Sequence, residues 1–486
     1  FAEYGVAAAS PPARFAAQTA RVRPAHTTQR GTFMDTIAAI ATPPTEGGIS
    51  VIRISGEDAL GIAERVFFPY AGKKVAEMAG YTAAYGEIRD SEKRLDDGVL
   101  LVYRAPHSYT GENTAEISCH GGIYVTRRVL SACFAAGAKP AQAGEFTKRA
   151  LLNGKLSLTQ AEAVADLIGA QNEQYLLCSR AQREGSLYRK ISAAAEKILS
   201  FTTLIQAWID YPDEMEDEFD GVIEAEKLTE VLGELDGLLD SYDSGRLLRE
   251  GVSCAIVGKP NAGKSTLMNL LAGSDRSIVT DIAGTTRDIV EETVMLGDVM
   301  LRLADCAGIR ETDDIVEQIG VEKMLKQIET AELIFAVFDG SRELSAEDET
   351  LIEHLAGKKC VCIVNKSDLP QKIDLSRLSE HFRSVISLSA KSGGGRELLE
   401  SAAAETAGLA RLDLSSGFIA NERQRGCLRE ARELLAEAVE ALRAGVTPDA
   451  VGILCERSLD RLYELSGDSV SEAVIDSVFR RFCVGK

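Results

Sequence analysis

The segment Gly258–Thr266 limits what this chain can fold into more than any other stretch. It reads Gly-Lys-Pro-Asn-Ala-Gly-Lys-Ser-Thr and fits the phosphate-binding pattern G-x-x-x-x-G-K-[ST]. The apolar run Val252 to Val257 precedes it and predicts a buried strand, and a helix-like run from Lys264 to Leu271 follows it. Backbone N–H groups of such a loop, together with the N-terminus of its helix, bind phosphate. We therefore expect Lys264 to reach the β- and γ-phosphates of a nucleotide and Ser265 to bind Mg²⁺.

Two downstream motifs indicate that the base is guanine. Asn365-Lys366-Ser367-Asp368 follows the apolar run Cys360 to Val364, and Ser389-Ala390-Lys391 follows the strand-like run Ser384 to Leu388. The Asp368 carboxylate can accept hydrogen bonds from N1–H and the exocyclic amino group of guanine. Adenine presents an acceptor at N1, so it would leave a buried carboxylate unpaired at a cost of kilocalories.

Two further motifs lie between the phosphate loop and the base reader. Gly284-Thr285-Thr286-Arg287-Asp288 offers a threonine, Thr286, for Mg²⁺ and the γ-phosphate. Asp305-Cys306-Ala307-Gly308 ends the predicted strand Val299 to Ala304, where Asp305 can hold the outer shell of the metal. Each short motif alone could be a solvated turn, but together and in this order they predict a GTPase domain.

Composition restricts the partners and the compartment. The chain has 486 residues, which suggests roughly three domains. It carries 54 basic and 74 acidic residues, so its net charge of −20 argues against bulk nucleic-acid binding and leaves any RNA contact to a local patch. Ten cysteines without a C-x-x-C pair indicate reduced thiols rather than disulfides or a zinc site. We expect no membrane span, because no apolar run reaches eighteen residues.

The first 33 residues differ from the rest. Four arginines face a single acid, Glu3, among Ala, Ser and Thr, which is typical of a transit peptide. The chain does not begin with Met, whereas Met34 opens an ordered pattern, so an upstream extension that is not part of the protein is the alternative. We expect residues 1–33 to be disordered in either case.

The remaining text predicts a multidomain α/β protein. Residues 34–153 alternate short apolar runs with glycine turns and predict an α+β domain. Residues 154–249 are helical, with one run from Leu158 to about Tyr211 and a second from about Glu224 to Tyr242. Residues 250–410 form the GTPase domain with a mostly parallel sheet, and residues 411–486 are helical again. Because amphipathic helices bury their apolar stripes only against partners, we expect the flanks to close into one bundle with the GTPase domain inserted. Two independent helical domains are the alternative.

Motifs outside the GTPase domain carry a specific resemblance. They are Pro106-His-Ser-Tyr-Thr-Gly-Glu-Asn-Thr-Ala-Glu-Ile-Ser-Cys-His-Gly-Gly122, Gly144-Glu-Phe-Thr-Lys-Arg-Ala150, Leu152-Asn-Gly-Lys-Leu-Ser-Leu-Thr-Gln-Ala-Glu-Ala163 and the final Phe-Cys-Val-Gly-Lys486. Together they resemble the MnmE (TrmE) family of tRNA modification GTPases, and the resemblance covers Met34 to Lys486. Ala143 departs from the pattern, because a proline is expected before Gly-Glu-Phe.

The resemblance implies a one-carbon chemistry. With MnmG, a partner that alone carries FAD, such proteins add an aminomethyl-type group at C5 of the wobble uridine of certain tRNAs. The carbon comes from 5,10-methylene- or 5-formyltetrahydrofolate on an N-terminal domain that also forms a homodimer. By carry-over, the folate contacts are Arg53, Glu112, Lys155 and Lys486, in a cytoplasmic protein. A carboxylate suits pterin donors and cations suit the glutamate tail, although Arg53 and Lys155 alone could be surface charges.

Two further residues near these motifs leave alternatives open. Cys483 is either a reactive thiol or wall of the folate pocket, or a packed small hydrophobe on the last helix. His120 beside Cys119 could be a ligand pair, but we expect a buried, hydrogen-bonded histidine.

The hydrolytic machinery departs from Ras-like enzymes. Ile309 stands where those enzymes carry a water-orienting glutamine, and no arginine finger is evident. The acidic loop that ends at Glu317 supplies candidates, and the resemblance implies that Glu317 orients the water through another water. It also implies K⁺ in place of the guanidinium, bound by Asn261 and backbone carbonyls near Thr280, Ile282 and Thr285 when two G domains meet.

These inferences make Glu317, Lys264 and Asn261 the expected catalytic residues. The residues expected to bind GTP are Asn261, Ala262, Gly263, Lys264, Ser265, Thr266, Thr280, Asp281, Ile282, Ala283, Gly284, Thr285, Thr286, Asp305, Cys306, Ala307, Gly308, Asn365, Lys366, Ser367, Asp368, Ser389, Ala390 and Lys391. The rival function is that of a regulatory GTPase of ribosome assembly, but such a factor should carry a basic KH-like module, which this acidic chain lacks.

Overall fold

The computed structural model describes residues 35–72, 74–91, 93–211, 220–272, 292–303, 317–410, 417–480 and 482–485. The chain divides into two compact units. The first unit comprises Phe1–Glu162, Ile198–Thr203 and Gly452–Lys486, and the second comprises Ala163–Lys197 and Leu204–Val451. The expectation for residues 1–33 lies outside the described residues.

The order of strands and helices along the chain is that of a mixed α/β protein. The strands are β1 Ile37–Ile40, β2 Ile49–Ser55, β3 Phe67–Pro69, β4 Thr82–Asp90, β5 Lys93–Tyr103, β6 Thr114–His120, β7 Lys139–Pro140, β8 Val252–Val257, β9 Glu292–Leu296, β10 Val299–Leu303, β11 Leu333–Asp339, β12 Cys360–Asn365 and β13 Ser384–Ser387. The helices are α1 Ala59–Val66, α2 Ile123–Ala135, α3 Glu145–Leu152, α4 Leu158–Gly169, α5 Glu173–Arg183, α6 Ser186–Asp210, α7 Gly221–Glu250, α8 Lys264–Ala272, α9 Glu317–Thr330, α10 Ala346–His354, α11 Leu375–His381, α12 Arg396–Ala407, α13 Glu422–Arg443, α14 Pro448–Ser466 and α15 Glu472–Phe479.

The first unit is organised around a sheet in the order β3-β4-β5-β6-β2-β1-β7, which is antiparallel except where β1 pairs with β7. Side chains alternate across its strands, so Ile52 and Ile54 of β2 are fully buried in the core that α1 and α2 cover. Arg53 between them points to the opposite face and pairs across the sheet with Glu116 of β6. The period of two therefore places a charged pair on the face away from the two helices.

The second unit contains a sheet in the order β13-β12-β11-β8-β10-β9, parallel except for the edge strand β9. All six residues of β12 are buried, as are Leu333–Phe338 of β11. Strands covered on both faces read as continuous apolar runs, which is why the pattern in the sequence was recognisable. The carboxyl ends of β8, β11, β12 and β13 meet at one edge of this sheet, and ligands bind at such edges in open α/β folds.

Helices α7 and α13, which flank this sheet in the sequence, pack against each other. Arg432 Nε donates to Asp236 Oδ1 at 2.8 Å, and Tyr242 Oη donates to Glu422 Oε1 at 2.7 Å. The residue numbers rise along α7 as they fall along α13, so the two helices are antiparallel. The predicted fold class is confirmed: a GTPase-type α/β sheet lies between helical segments of the sequence and follows an α+β domain.

Several element bounds differ from the prediction. The helical run from Leu158 to Tyr211 is divided into α4, α5 and α6, because Asn172 caps α5 by accepting from Tyr175 N and Gly185 takes a left-handed φ of 87° before α6. Helix α7 continues to Glu250 rather than ending near Tyr242. The prediction did not include strands β3, β7, β9 and β11. None of the described helices is long and apolar enough to cross a membrane.

Candidate functional site

The phosphate loop joins β8 to α8, and its backbone requires two glycines. Gly258 has a φ of 149°, and a Cβ there would lie 2.3 Å from Val337 O. Gly263 has a φ of 102°, and a Cβ there would lie 2.1 Å from Asn365 Nδ2. Residues with a side chain rarely adopt such backbone angles. Sterics as well as ligand binding therefore require glycine at these two positions of the motif.

Lys264, the first residue of α8, is held inside the loop. Its Nζ donates to Gly258 O at 2.9 Å and to Lys259 O at 2.8 Å. Burial lowers the pKa of this ammonium group, because removing it from water disfavours the charge. Ser265 and Thr266 follow on the first turn of the helix and are exposed, where a hydroxyl can meet a metal or a phosphate.

Asn365 at the end of β12 connects three of the predicted motifs. It is buried, its Nδ2 donates to Ala262 O at 2.9 Å, and its Oδ1 accepts from Ala390 N at 3.0 Å. One side chain therefore fixes the phosphate loop, the Asn365–Asp368 turn and the Ser389–Lys391 turn relative to one another. The structure brings together the motifs that the sequence assigned to phosphate and to guanine.

The Asp368 carboxylate is presented at the open side of this arrangement. Ser389 Oγ donates to Asp368 Oδ1 at 2.6 Å, and this bond holds the pKa of Asp368 below its usual value. Asp368 itself is exposed. A charged acceptor held by a neighbouring turn is what recognition of the two guanine donors requires.

Sequence reasoning missed Asp339, which ends β11 at the same sheet edge. Lys366 Nζ donates to Asp339 Oδ2 at 2.6 Å and to Asn261 O at 2.8 Å. Burial would raise the pKa of Asp339, but the hydrogen bonds from Lys366 and Ser341 outweigh it and lower the pKa. Asn261 adopts a φ of 64°, a left-handed conformation that asparagine tolerates. An Asp directly after an apolar run was the available signal.

Part of the predicted nucleotide site lies outside the described residues. These positions are Thr280, Asp281, Ile282, Ala283, Gly284, Thr285, Thr286, Asp305, Cys306, Ala307 and Gly308. Glu317 begins α9, but its side chain is not among the described ones. Lys486 of the predicted folate set is likewise outside the described residues.

A second polar site lies in the first unit, around Arg53. Its Nε donates to Glu116 Oε1 at 2.7 Å, and its Nη1 donates to Gly485 O at 3.3 Å. The guanidinium carbon lies 5.7 Å from the ring centre of Tyr109 and 5.6 Å from that of Phe146. Strand β2 thus presents a cation between two aromatic rings and the last residues of the chain.

Glu112 is bonded to Ser55, two residues beyond Arg53 on β2, and is fixed by residues that the sequence did not assign. Its Oε2 accepts from Ser55 Oγ at 2.8 Å, and both carboxylate oxygens lie 3.2 Å from Arg149 Nη1. Arg149 is only 1% exposed and also donates to Glu145 Oε1 at 2.8 Å. Lys155 is exposed and donates to Pro106 O at 3.1 Å. Arg149 is part of the motif Gly144–Ala150, but no pattern in the neighbouring residues indicates that it is buried.

The C-terminal residues reach this site through α3. Cys483 O accepts from Gly144 N at 3.3 Å, and Val484 forms an antiparallel bridge with Ala143. The Cys483 side chain is exposed, and the last helix ends at Phe479. The interpretation of Cys483 as a packed hydrophobe on that helix is therefore wrong, because the chain has left the helix and runs along the surface there.

The structure also shows the state of the remaining cysteines and the surroundings of His120. The described cysteines are free thiols and all but Cys483 are buried. His120 is hydrogen-bonded as predicted, with Nδ1 2.7 Å from Asp96 Oδ1, and this contact raises its pKa. It is not buried, since its side chain is 71% exposed at the end of β6. Across the described ranges, no group of three or more His, Cys, Asp or Glu residues could hold a metal ion.

Comparisons with known proteins agree across the chain. One family model, described as GTP-binding protein TrmE N-terminus, matches residues 36–155, and another, described as MnmE helical domain, matches residues 158–483. A tRNA modification GTPase MnmE of Clostridioides difficile is 40% identical over 455 residues, covering 93% of this chain and 99% of that protein. The protein of the same name from Bacillus cereus is 41% identical over 459 residues, with coverage of 93% and 99%.

A solved structure, the G domain of the T. maritima FeoB iron transporter, is 28% identical and covers 32% of this chain and 98% of its own, with a TM-score of 0.24. The two family models and the identity over nearly the full length of the relatives agree with motifs in both units. This chain belongs to the MnmE (TrmE) family of tRNA modification GTPases.

Proposed function

We propose that this chain binds and hydrolyses GTP at the phosphate loop and uses that cycle in the modification of tRNA. The observation that carries the proposal is the Asn365 side chain, which holds the phosphate loop and both guanine-reading turns in one arrangement. The names of the relatives, which are 40–41% identical over 93% of the chain, support a role in tRNA modification. No described feature favours ribosome assembly.

The residues around the loop suit Mg²⁺ and GTP. The Lys264 ammonium group, which donates to two loop carbonyls, would keep these bonds and direct its remaining N–H to the β- and γ-phosphate oxygens. Ser265 would bind Mg²⁺ together with Thr286, and Asp305 would hold the outer shell. Asp368 and the Ser389 turn would read the base. Mg²⁺ supplies charge neutralisation on the phosphates, while these side chains position them.

Hydrolysis needs groups that replace a glutamine and an arginine finger. We assign the water-orienting role to Glu317 at the start of α9. We assign the cation role to K⁺ held by Asn261 and by backbone carbonyls of Thr280, Ile282 and Thr285, in a homodimer of G domains. Asn261 is exposed in the phosphate loop and its backbone carbonyl accepts from Lys366, so its side-chain amide is the group that would meet the ion.

The potassium assignment is tested by GTP turnover in matched KCl and NaCl at equal ionic strength. We expect turnover only with K⁺, because a site of carbonyls and one amide selects by size. Asn261→Ala should remove the K⁺ dependence, and Asn269→Ala on α8 serves as a matched control outside the loop. Equal rates of the unaltered protein in both salts would exclude the K⁺ mechanism. The proposal that GTP binds at the phosphate loop would still stand.

We assign the Arg53–Glu112 site to a reduced folate, bound in a cytoplasmic protein. The Glu112 carboxylate is held in place by Ser55 and Arg149, so it can accept hydrogen bonds from the amino group and ring N–H of a pterin. Arg53, Lys155 and Lys486 would neutralise the glutamate tail. Titration of residues 34–486 with 5-formyltetrahydrofolate, followed by calorimetry, tests the assignment. Absence of binding would remove folate from the proposal.

The modification itself is assigned to a complex with an FAD-carrying MnmG partner acting on C5 of the wobble uridine. The exposed Cys483, next to the Arg53 site, is the candidate reactive thiol. Cys483→Ser should abolish modification in the presence of MnmG while GTP hydrolysis stays within about twofold. Full modification by this variant would leave Cys483 without a chemical role.

A further inference from the structure

We propose that Lys259 is a positioning residue for GTP hydrolysis: its side chain ties the first turn of the phosphate loop to the start of α10, and thereby fixes the carbonyl group that orients Lys264. Lys259 occupies one of the variable positions of G-x-x-x-x-G-K-[ST], so the motif gives it no role. The inference rests on the proposed hydrolysis of GTP at this loop.

The backbone of Lys259 is the closing point of the turn. Its carbonyl oxygen accepts from Ala262 N at 3.3 Å and from Lys264 Nζ at 2.8 Å. The same peptide group therefore closes the loop and holds the ammonium group that must reach the phosphates. A shift of this carbonyl moves both.

The side chain of Lys259 is anchored outside the phosphate loop. Its Nζ donates to Ser345 Oγ at 2.6 Å and lies 3.0 Å from Glu347 Oε2 and 3.7 Å from Asp348 Oδ2. The hydrogen bond to Glu347 raises the pKa of Lys259, so the ammonium form is favoured.

The anchor is the capped N-terminus of α10. Ser345 and Asp348 form a reciprocal capping box at the N-terminus of α10, with Ser345 N donating to Asp348 Oδ2 at 3.0 Å. The end of β11, which leads into this segment, holds the loop at a second point, because Asp339 binds Lys366, which in turn donates to Asn261 O. Lys259 and Lys366 thus connect the loop residues on either side of Pro260 to the end of β11 and the start of α10.

The expected consequence is catalytic rather than structural. Glu347 is 75% exposed and Lys259 is 32% exposed, and an ion pair that is open to solvent on one side adds little to the free energy of unfolding. Misplacement of a catalytic group by a fraction of an ångström, in contrast, lowers the rate strongly. GDP is held mainly by loop N–H groups and base contacts, so its affinity should change less than the rate of hydrolysis.

The test compares Lys259→Met with Lys259→Arg in the full chain. Lys259→Met keeps the aliphatic stem and loses the tether, and we expect kcat for GTP to fall about tenfold while the affinity for a fluorescent GDP analogue changes less than about threefold. Lys259→Arg should restore kcat. Arg396→Met, which removes a cation paired with Glu400 on α12, is the matched control and should leave both values unchanged.

A Glu347→Gln substitution adds a coupling measurement. Combined with Lys259→Met it should cause no further loss of kcat, since the tether is already absent. The inference is overturned if Lys259→Met keeps kcat within twofold, if Lys259→Arg fails to restore it, or if the loss follows a lowered melting temperature. Absence of GTP turnover in the unaltered protein, with GDP still bound, would instead overturn the proposed function.

Discussion

The nucleotide site and the Arg53–Glu112 site differ in how far apart in the sequence their parts lie. The nucleotide site takes its groups from turns that directly follow parallel strands, and each turn is a short contiguous motif. The Arg53–Glu112 site takes its groups from a mid-strand position on β2, from a loop, from α3 and from the C-terminal residues. Parallel strands end at a common edge, so local motifs suffice there. The other site depends on packing between distant segments.

The difference predicts how each site fails. A nucleotide-site variant should lose a specific recognition contact and leave the fold unchanged. A variant of the Arg53–Glu112 site should be sensitive both to its ligand groups and to the contacts that hold distant segments together.

The largest effect is expected at the base reader. Asp368→Asn removes the charged acceptor of two guanine donors, which are worth about 1.5–3 kcal/mol each, so GTP affinity should fall about 10²–10⁴-fold and xanthosine triphosphate should become the preferred ligand. Equilibrium titration with both nucleotides measures this. Asp374→Asn is the control, because asparagine preserves the N-cap of α11. Unchanged GTP affinity in the Asp368 variant would remove Asp368 from base recognition.

The second effect concerns the acceptor in the other site. Glu112→Gln keeps the size of the side chain but removes the charge that faces Arg149, so affinity for 5-formyltetrahydrofolate should fall about 10–100-fold. GTP hydrolysis should be unaffected, because Glu112 belongs to the other unit. Calorimetric titration measures the folate affinity, with Glu77→Gln as a surface control. A loss of GTP hydrolysis instead would break the separation drawn between the two sites.

The third effect tests whether long-range packing builds the folate site. Gly144 has a φ of 66°, and a Cβ there would lie 2.8 Å from Phe479 and 2.9 Å from Phe482. Gly144→Ala should displace the segment that carries Gly485 and weaken folate binding about fivefold to tenfold, with about 1–3 kcal/mol lost in the free energy of unfolding. Gly154→Ala is matched in backbone strain, since its φ is 68° and its Cβ would meet no atom within 4 Å.

The comparison of the two glycine variants separates the contact of residue 144 with Phe479 and Phe482 from the cost of the left-handed backbone. Both should show a similar cost in chemical denaturation from the left-handed backbone, but only Gly144→Ala should reduce folate affinity. Equal folate affinity in the two variants would show that the C-terminal segment does not shape the site.

The smallest effect is expected at the exposed cation. Lys155→Met should weaken binding of a folate monoglutamate by about twofold to fivefold, because exposed charge pairs contribute about 0–1 kcal/mol. The difference should shrink at high salt, and a pterin without the glutamate tail should bind both proteins equally. A salt-independent loss would indicate that Lys155 acts through its bond to Pro106 O rather than through charge.

The sequence predicted the fold class and the nucleotide motifs because each is encoded in adjacent residues. Buried parallel strands give continuous apolar runs, and the turns that follow them carry fixed residue types. Asp339 was missed although it follows such a run, because its role appears only when Lys366 folds back from the next strand. The breaks in the long helical run were missed because Asn172 and Gly185 act as a cap and a left-handed turn only in their observed conformations.

By itself the sequence determined the strand–loop–helix of the phosphate loop, the order of the guanine-reading turns and membership of the family. Only the tertiary structure decided that a buried Arg149 fixes Glu112, that Cys483 is exposed rather than packed, and that Lys259 is tied to α10. The physical reason is range. Backbone sterics and strand burial act within a few residues and leave a readable pattern, whereas burial of a guanidinium or the partner of a lysine depends on segments that meet only after the chain has folded.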